Sequence, residues 1–211
     1  KNIERTSYRP LVNKSITIVE AIIFLIILLL LALFILFQFN FNAIIISLFS
    51  IPLIIIYPYM KRFTYWPQLV LGIVFNWGVL IVSMQFNNHL SFSSLILYLG
   101  CIFWTLGYDT IYAYQDREDD IKNNIYSTAV LFGNNGKKYV FTFYIIFLIV
   151  LSYIGFKASG SLVSILVIII ILIAMLFFLN KWNLNSITSS NEYFNYNNVF
   201  GLICFIYLII F

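Results

Sequence analysis

Apolar residues run through this chain in long blocks, and those blocks predict its architecture. Seven stretches approach the about 20 apolar residues a helix needs to cross a hydrocarbon core: 16–39, 43–59, 67–86, 90–112, 139–156, 162–179 and 199–211. The second and last are short, which predicts tilting, kinking or an incomplete crossing. Pro52 predicts a kink in the second, because proline withholds a helix amide that its neighbours must replace. The joining segments are short except for 113–138 and 180–198. The pattern predicts an all-α polytopic membrane protein, folded as a single domain over 1–211.

Polar residues follow the same division. Let face A be the membrane side holding the N-terminus, with the sides alternating thereafter. Face A then carries eleven of the twelve Lys and Arg residues: Lys1, Arg5, Arg9, Lys14, Lys61, Arg62, Arg117, Lys122, Lys137, Lys138 and Lys181. Face B carries Lys157. Such asymmetry predicts a cytoplasmic face A, or the matrix face in an organelle, and a missed span would scramble it. The acids agree. Glu4, Asp116, Glu118, Asp119, Asp120 and Glu192 fall in face-A connections, and Glu20 and Asp109 at face-A ends of spans. His89, in a face-B turn, reads as a solvated loop residue.

Composition narrows the classes further. The chain is 62% hydrophobic and 9% charged, against about 25% charged in soluble domains, and its mean hydropathy is +0.96. So few charges cannot coat a globule, which leaves the lipid bilayer as solvent for much of the surface. The net charge of +4 sits in short loops between apolar runs, an arrangement that does not predict nucleic-acid binding. Cys101 and Cys204 stand far apart within apolar runs and form neither a disulfide framework nor a metal-ligand pattern. The chain opens on Lys1, which predicts a piece of a longer or processed protein.

Candidate chemistry gathers in Gly107-Tyr108-Asp109-Thr110-Ile111-Tyr112-Ala113-Tyr114-Gln115-Asp116-Arg117-Glu118-Asp119-Asp120. If the fourth span continues as a helix beyond the membrane edge, Asp109, Ala113, Asp116 and Asp120 share one stripe. Carboxylates about 6 Å apart repel by about 3 kcal/mol at an effective dielectric near 20. A hard divalent cation relieves that repulsion, and Mg²⁺ is commonly held by one or two carboxylates plus substrate phosphates. Two plainer readings stay open: a solvated charge run balanced by Arg117 and Lys122, or an Asp109 that bonds the hydroxyl of Tyr108 or Tyr112. Tyr57-Pro58-Tyr59-Met60-Lys61-Arg62 is a second face-A feature, suited to a phosphate group or to anchoring at the interface. Arg5-Thr6-Ser7-Tyr8-Arg9-Pro10 invites the same pair of readings. No phosphate loop, nucleophile elbow or zinc pattern is present.

The stretch Tyr108 to Asp120, followed by Ser127-Thr128-Ala129-Val130-Leu131-Phe132-Gly133, resembles the second aspartate motif of the UbiA superfamily. The resemblance is to its 4-hydroxybenzoate polyprenyltransferase branch. Tyr57 to Thr64, Pro67-Gln68-Leu69-Val70-Leu71-Gly72, Arg5-Thr6 with Arg9-Pro10-Leu11, and Asn197-Asn198 with Gly201 resemble it too. It implies a nine-helix bundle around a cavity open to lipid, in which two aspartate motifs hold Mg²⁺ against a polyprenyl diphosphate. It implies metal binding by Asp116 and Asp120, contacts to the diphosphate and the aromatic acid by Lys61, Arg62 and Lys122, and cavity positions for Tyr57 and Asp109. The implied reaction prenylates the ring of 4-hydroxybenzoate in ubiquinone biosynthesis, at a bacterial or mitochondrial inner membrane.

Two departures qualify the resemblance. Seven spans stand against nine, so the first two helices and first aspartate motif are expected before Lys1. Tyr126 replaces the lysine usual before Ser-Thr. With one carboxylate motif the chain as given is expected to be inactive alone, as part of an enzyme or as its remnant. A different aromatic acceptor is a further alternative. A transporter would need acids reaching both faces, and face B has none.

Overall fold

The computed structural model describes residues 9–211; the predicted features at Lys1, Glu4 and Arg5-Thr6-Ser7-Tyr8 lie outside them. Among the described residues every regular element is helical, and seven helical segments are long and apolar enough to cross a membrane. The first is α1 (Ile18–Leu36). The second joins α2 (Phe41–Leu48), α3 (Ser50–Ile56) and a 3-10 stretch (Tyr57–Arg62). The third joins α4 (Pro67–Phe75) and α5 (Gly78–Asn87), and the fourth is α6 (Phe92–Ala113). The short α7 (Arg117–Lys122) follows. Then α8 (Thr128–Phe132) leads through a 3-10 turn into α9 (Gly136–Ser159), followed by α10 (Leu162–Asn180) and α11 (Ile187–Ile210).

Small polar residues start these helices. Thr17, Asn40, Ser91, Ser127, Ser161 and Ser186 each accept a hydrogen bond from an amide of the first turn, pairing donors that the helix itself leaves unsatisfied. At α1 the exchange is reciprocal, because the Glu20 carboxylate accepts from the Thr17 amide at 2.7 Å.

Three boundaries differ from the sequence reading. The second span runs on to Arg62, and its α2–α3 break falls at Phe49, just after Leu48, whose carbonyl an amide at position 52 would have met were it not proline. The third span breaks at Asn76, whose Nδ2 donates to Gly72 O in its own helix at 2.8 Å. The same group donates across to Cys101 O at 3.2 Å and Thr105 Oγ1 at 2.8 Å, a side-chain competition with the helix ladder that hydropathy does not register. The last span begins at Ile187, far ahead of the predicted 199, because Asn191, Glu192, Asn195, Asn197 and Asn198 mask its first half.

The bundle centres on α6 against α9, with α4 and α11 on α6, α10 on α9, and α2 against α5. Gly100 and Gly107, two turns apart on α6, set the central distance. A methyl group at Gly107 would meet the Tyr144 ring at 3.0 Å, and one at Gly100 would meet Val150 at 2.6 Å. Lipid offers no hydrophobic drive for helix association, so such close backbone approach supplies the contact. None of α1 is buried.

Contacts at the helix ends place residues on the two faces as the charge pattern predicts. On face B, Asn40 donates to Met84 O and Gln85 O, and Lys157 donates to Ser93 Oγ. On face A, Lys61 O accepts from the Tyr126 amide at 2.9 Å, and Lys137 donates to Asn180 O.

Candidate active site at the aspartate face

The acidic stretch does not continue α6. The helix ends at Ala113, and Tyr114, Gln115 and Asp116 turn the chain before α7 begins at Arg117. The predicted single helical stripe from Asp109 to Asp120 is therefore broken. The turn nonetheless buries two of the acids. Asp120 is fully buried and Asp116 is 6% exposed, joined through the backbone by the Asp120 amide donating to Asp116 O at 2.8 Å. Asp109 is half-buried one level deeper on α6.

The turn is held from four sides. Tyr114 donates its hydroxyl to Gly133 O at 2.6 Å. Gly133 sits at φ +52°, where a side chain would be strained. Gly136 passes so close to that hydroxyl that a methyl group there would collide with it. From α4, the fully buried Gln68 accepts the Thr128 amide at 3.1 Å. From α6, Thr110 shares a 2.8 Å hydroxyl bond with Thr128. On the remaining side the Tyr126 amide is tied to Lys61 O, and Tyr65 packs its ring on Tyr126 at 4.5 Å.

These ties carry Lys61 to the acids. Its half-buried ammonium is near enough to act on both Asp109 and Asp120. Tyr57 stands within electrostatic range of Asp109. Burial pushes the Asp120 carboxyl above the usual aspartate range. Lys61 and the neighbouring Ser127 hydroxyl pull it back, while Asp116 and Asp119 push it further up. Neither Asp120 oxygen has a hydrogen-bond partner of normal geometry, and the same holds for the buried Gln115 Nε2 and Arg117 Nε. Orphaned buried polar atoms are rare and costly.

Other predicted residues fall outside this cluster. Arg62 is exposed at the end of the 3-10 stretch. Lys122 is exposed and lies 4.0 Å from Asp119, within its own helix. Arg117 is half-buried, with its guanidinium 5.7 Å from the Tyr114 ring. Gln68, Gln115, Ser127 and Thr128 had no prior mark as site residues. Only the order Pro67-Gln68 and Ser127-Thr128 hinted at them, and the contact between them spans 60 residues of sequence.

The donor set suits a hard cation. Asp120 offers two buried oxygens without a hydrogen-bond partner of normal geometry and Asp116 a second carboxylate, while no group of three His, Cys, Asp or Glu gathers among the described residues. Two carboxylates completed by phosphate oxygens match the habits of Mg²⁺.

Seven apolar spans with paired buried carboxylates and a lysine at one end define a helical integral membrane protein with an acidic site at one membrane face. The chain belongs to the UbiA prenyltransferase family, whose model matches residues 1–207. It is 36% identical over 209 residues to the mitochondrial 4-hydroxybenzoate polyprenyltransferase of Drosophila pseudoobscura pseudoobscura, covering 99% of this chain and 53% of that protein. It is also 36% identical over 213 residues to the 4-hydroxybenzoate octaprenyltransferase of Francisella tularensis subsp. novicida, covering 100% of this chain and 74% of that one. The chain thus spans about half the length of the fly relative. The apo structure of a UbiA homolog from Aeropyrum pernix K1 shares the fold, with a TM-score of 0.72 at 23% identity over 98% of this chain and 78% of that one.

Proposed function

We propose that this chain carries the second aspartate motif of an enzyme that transfers a polyprenyl group from its diphosphate to the ring of 4-hydroxybenzoate, on the route to ubiquinone. The observation that carries this reading is Asp120, a fully buried carboxylate beside Asp116 and Lys61 whose oxygens have no hydrogen-bond partner of normal geometry. The names of the relatives supply the substrate classes.

Asp116 and Asp120 would hold Mg²⁺, which when bound would supply positive charge against the diphosphate. Lys61 adds a fixed cation on the same side, and Arg62 a second at the rim. The allylic carbon–oxygen bond breaks with its electron pair leaving on the diphosphate. The ring carbon beside the phenol oxygen bonds to the allylic carbon, and its hydrogen departs as a proton. The apolar walls of the surrounding spans keep water from the allylic cation. The membrane is a bacterial or mitochondrial inner membrane, with the aspartate face toward cytoplasm or matrix.

The test is a membrane assay of the full-length protein with a polyprenyl diphosphate and 4-hydroxybenzoate, product being read by mass spectrometry. Chelation of Mg²⁺, or Asp116→Ala, is expected to lower turnover roughly a hundredfold or more. Turnover within a few-fold of wild type for Asp116→Ala overturns the assignment. A product formed only with a naphthoate acceptor overturns the substrate.

A further inference from the structure

A polar cavity also opens on the aspartate face. It measures about 480 Å³ and lies between the start of α9 and the α10–α11 turn, lined by Lys137, Lys181, Asn134, Asn183, Asn185 and the fully buried Trp182. Tyr114, which leads into the Gln115-Asp116 turn, packs edge-on against Trp182 of the cavity lining at 5.2 Å.

The charge of this cavity is uncompensated. No carboxylate forms a salt bridge with Lys137, Lys138 or Lys181 among the described residues. The first turn of α9 holds no acid and no side-chain cap, and it places two lysines where the helix dipole already disfavours cations. Lys137 uses one of its three protons on Asn180 O at 2.8 Å. The nearest acid along the following helix, Glu192, accepts the Tyr196 hydroxyl at 3.0 Å. Three asparagines add amide donors around the two ammonium groups.

What lies beneath the lip of the cavity identifies the occupant. Lys181 stands 4.6 Å over the Phe177 ring. Phe177, Ile173 and Ile170 are exposed by 69%, 61% and 65%. At spacings of four and three residues they form one apolar stripe on α10, running from the cavity toward the membrane interior. A soluble anion has no use for that stripe; a lipid with a phosphate head and acyl tails uses both parts.

We propose that this cavity binds the phosphate headgroup of an anionic membrane phospholipid, with Lys137 and Lys181 on the phosphate and an acyl chain along Ile170, Ile173 and Phe177. Basic pockets between spans at a membrane face take such headgroups, and each lysine near the surface strengthens the attraction.

The experiment uses the full-length protein in mild detergent, washed free of loose lipid and examined by native mass spectrometry with added phosphatidylglycerol or phosphatidylcholine. Wild type is expected to retain one phosphatidylglycerol and to lose phosphatidylcholine. Joint Lys137→Gln and Lys181→Gln substitution is expected to weaken that retention roughly tenfold or more. Joint substitution by Arg preserves it, as does Lys122→Gln, which removes an exposed lysine of the same face. A lipid-free thermal midpoint unchanged in the Gln variant shows that the fold is intact; should that variant not fold, Lys181→Glu alone takes its place. Equal retention of both lipids, undiminished retention by the Gln variant, or displacement of the lipid by millimolar inorganic phosphate overturns the proposal.

Discussion

Asp120 is held at a cost that its neighbours only partly offset. It is fully buried, neither oxygen has a hydrogen-bond partner of normal geometry, and burial raises its pKa against the pull of Lys61 and Ser127. A raised folded-state pKa means that the folded chain binds the proton more tightly than the unfolded one. Stability therefore falls as pH rises from the ordinary aspartate value, about 4, through the raised one, and is flat above it. Metal binding runs the opposite way, because the ionised form is the ligand. The Asp120→Asn variant is thus expected to match or exceed wild-type stability without metal at neutral pH, by up to about 2 kcal/mol, while losing roughly a hundredfold or more in turnover. Thermal melts of both proteins across acidic to neutral pH check the first half, and the prenyl-transfer assay checks the second. A lower midpoint for Asp120→Asn would mean that the carboxylate stabilises the fold and is not reserved for a ligand. Lys61→Gln removes the cation that lowers the Asp120 pKa, so the acid limb of its activity profile is expected at higher pH than in wild type.

At the scale of elements, the site depends on how α8 is fastened. Gln68 on α4 accepts the Thr128 amide, and both residues are buried. The Gln68→Leu variant leaves that amide unpaired and is expected to cost about 1–3 kcal/mol. It also frees the segment that brings Ser127 and Asp120 together, so turnover should fall further than stability alone explains, measured at a temperature where the variant is folded. Gly136→Ala is expected to act from the other side. Its methyl group meets the Tyr114 hydroxyl, and overpacking of this kind costs about 1–3 kcal/mol. These fastenings show where sequence reading stops. The acids of the turn were legible because carboxylates are conspicuous in an apolar chain, and their order matched a known motif. The break between α6 and α7 was not legible, since Tyr114, Gln115 and Asp116 carry no helix-breaking residue. It is made by a tyrosine reaching Gly133, a contact of 19 residues' separation. The break at Asn76 was hidden in the same way, because an asparagine that ties its own helix to another leaves no trace in an apolar run.

At the scale of the whole molecule, hydropathy sufficed to count the spans and charge to sort their ends, because lipid excludes unpaired backbone and sorts lysine and arginine by side. It failed where polarity and span coincide, in the first half of α11. Lys138 and Lys157 are both exposed and stand at opposite ends of α9. Nineteen helical steps separate them by about 29 Å, close to the thickness of a hydrocarbon core. With Cys101 and Cys204 replaced by alanine, Lys157→Cys is expected to react with a membrane-impermeant maleimide added to intact bacterial cells. Lys138→Cys should react only after permeabilisation. The reverse pattern would turn the aspartate face outward and remove the cytoplasmic or matrix assignment while leaving the fold intact. Labelling of both positions from one side would break the alternation itself, and with it the placement of Lys61, Asp116 and Asp120 on a common face.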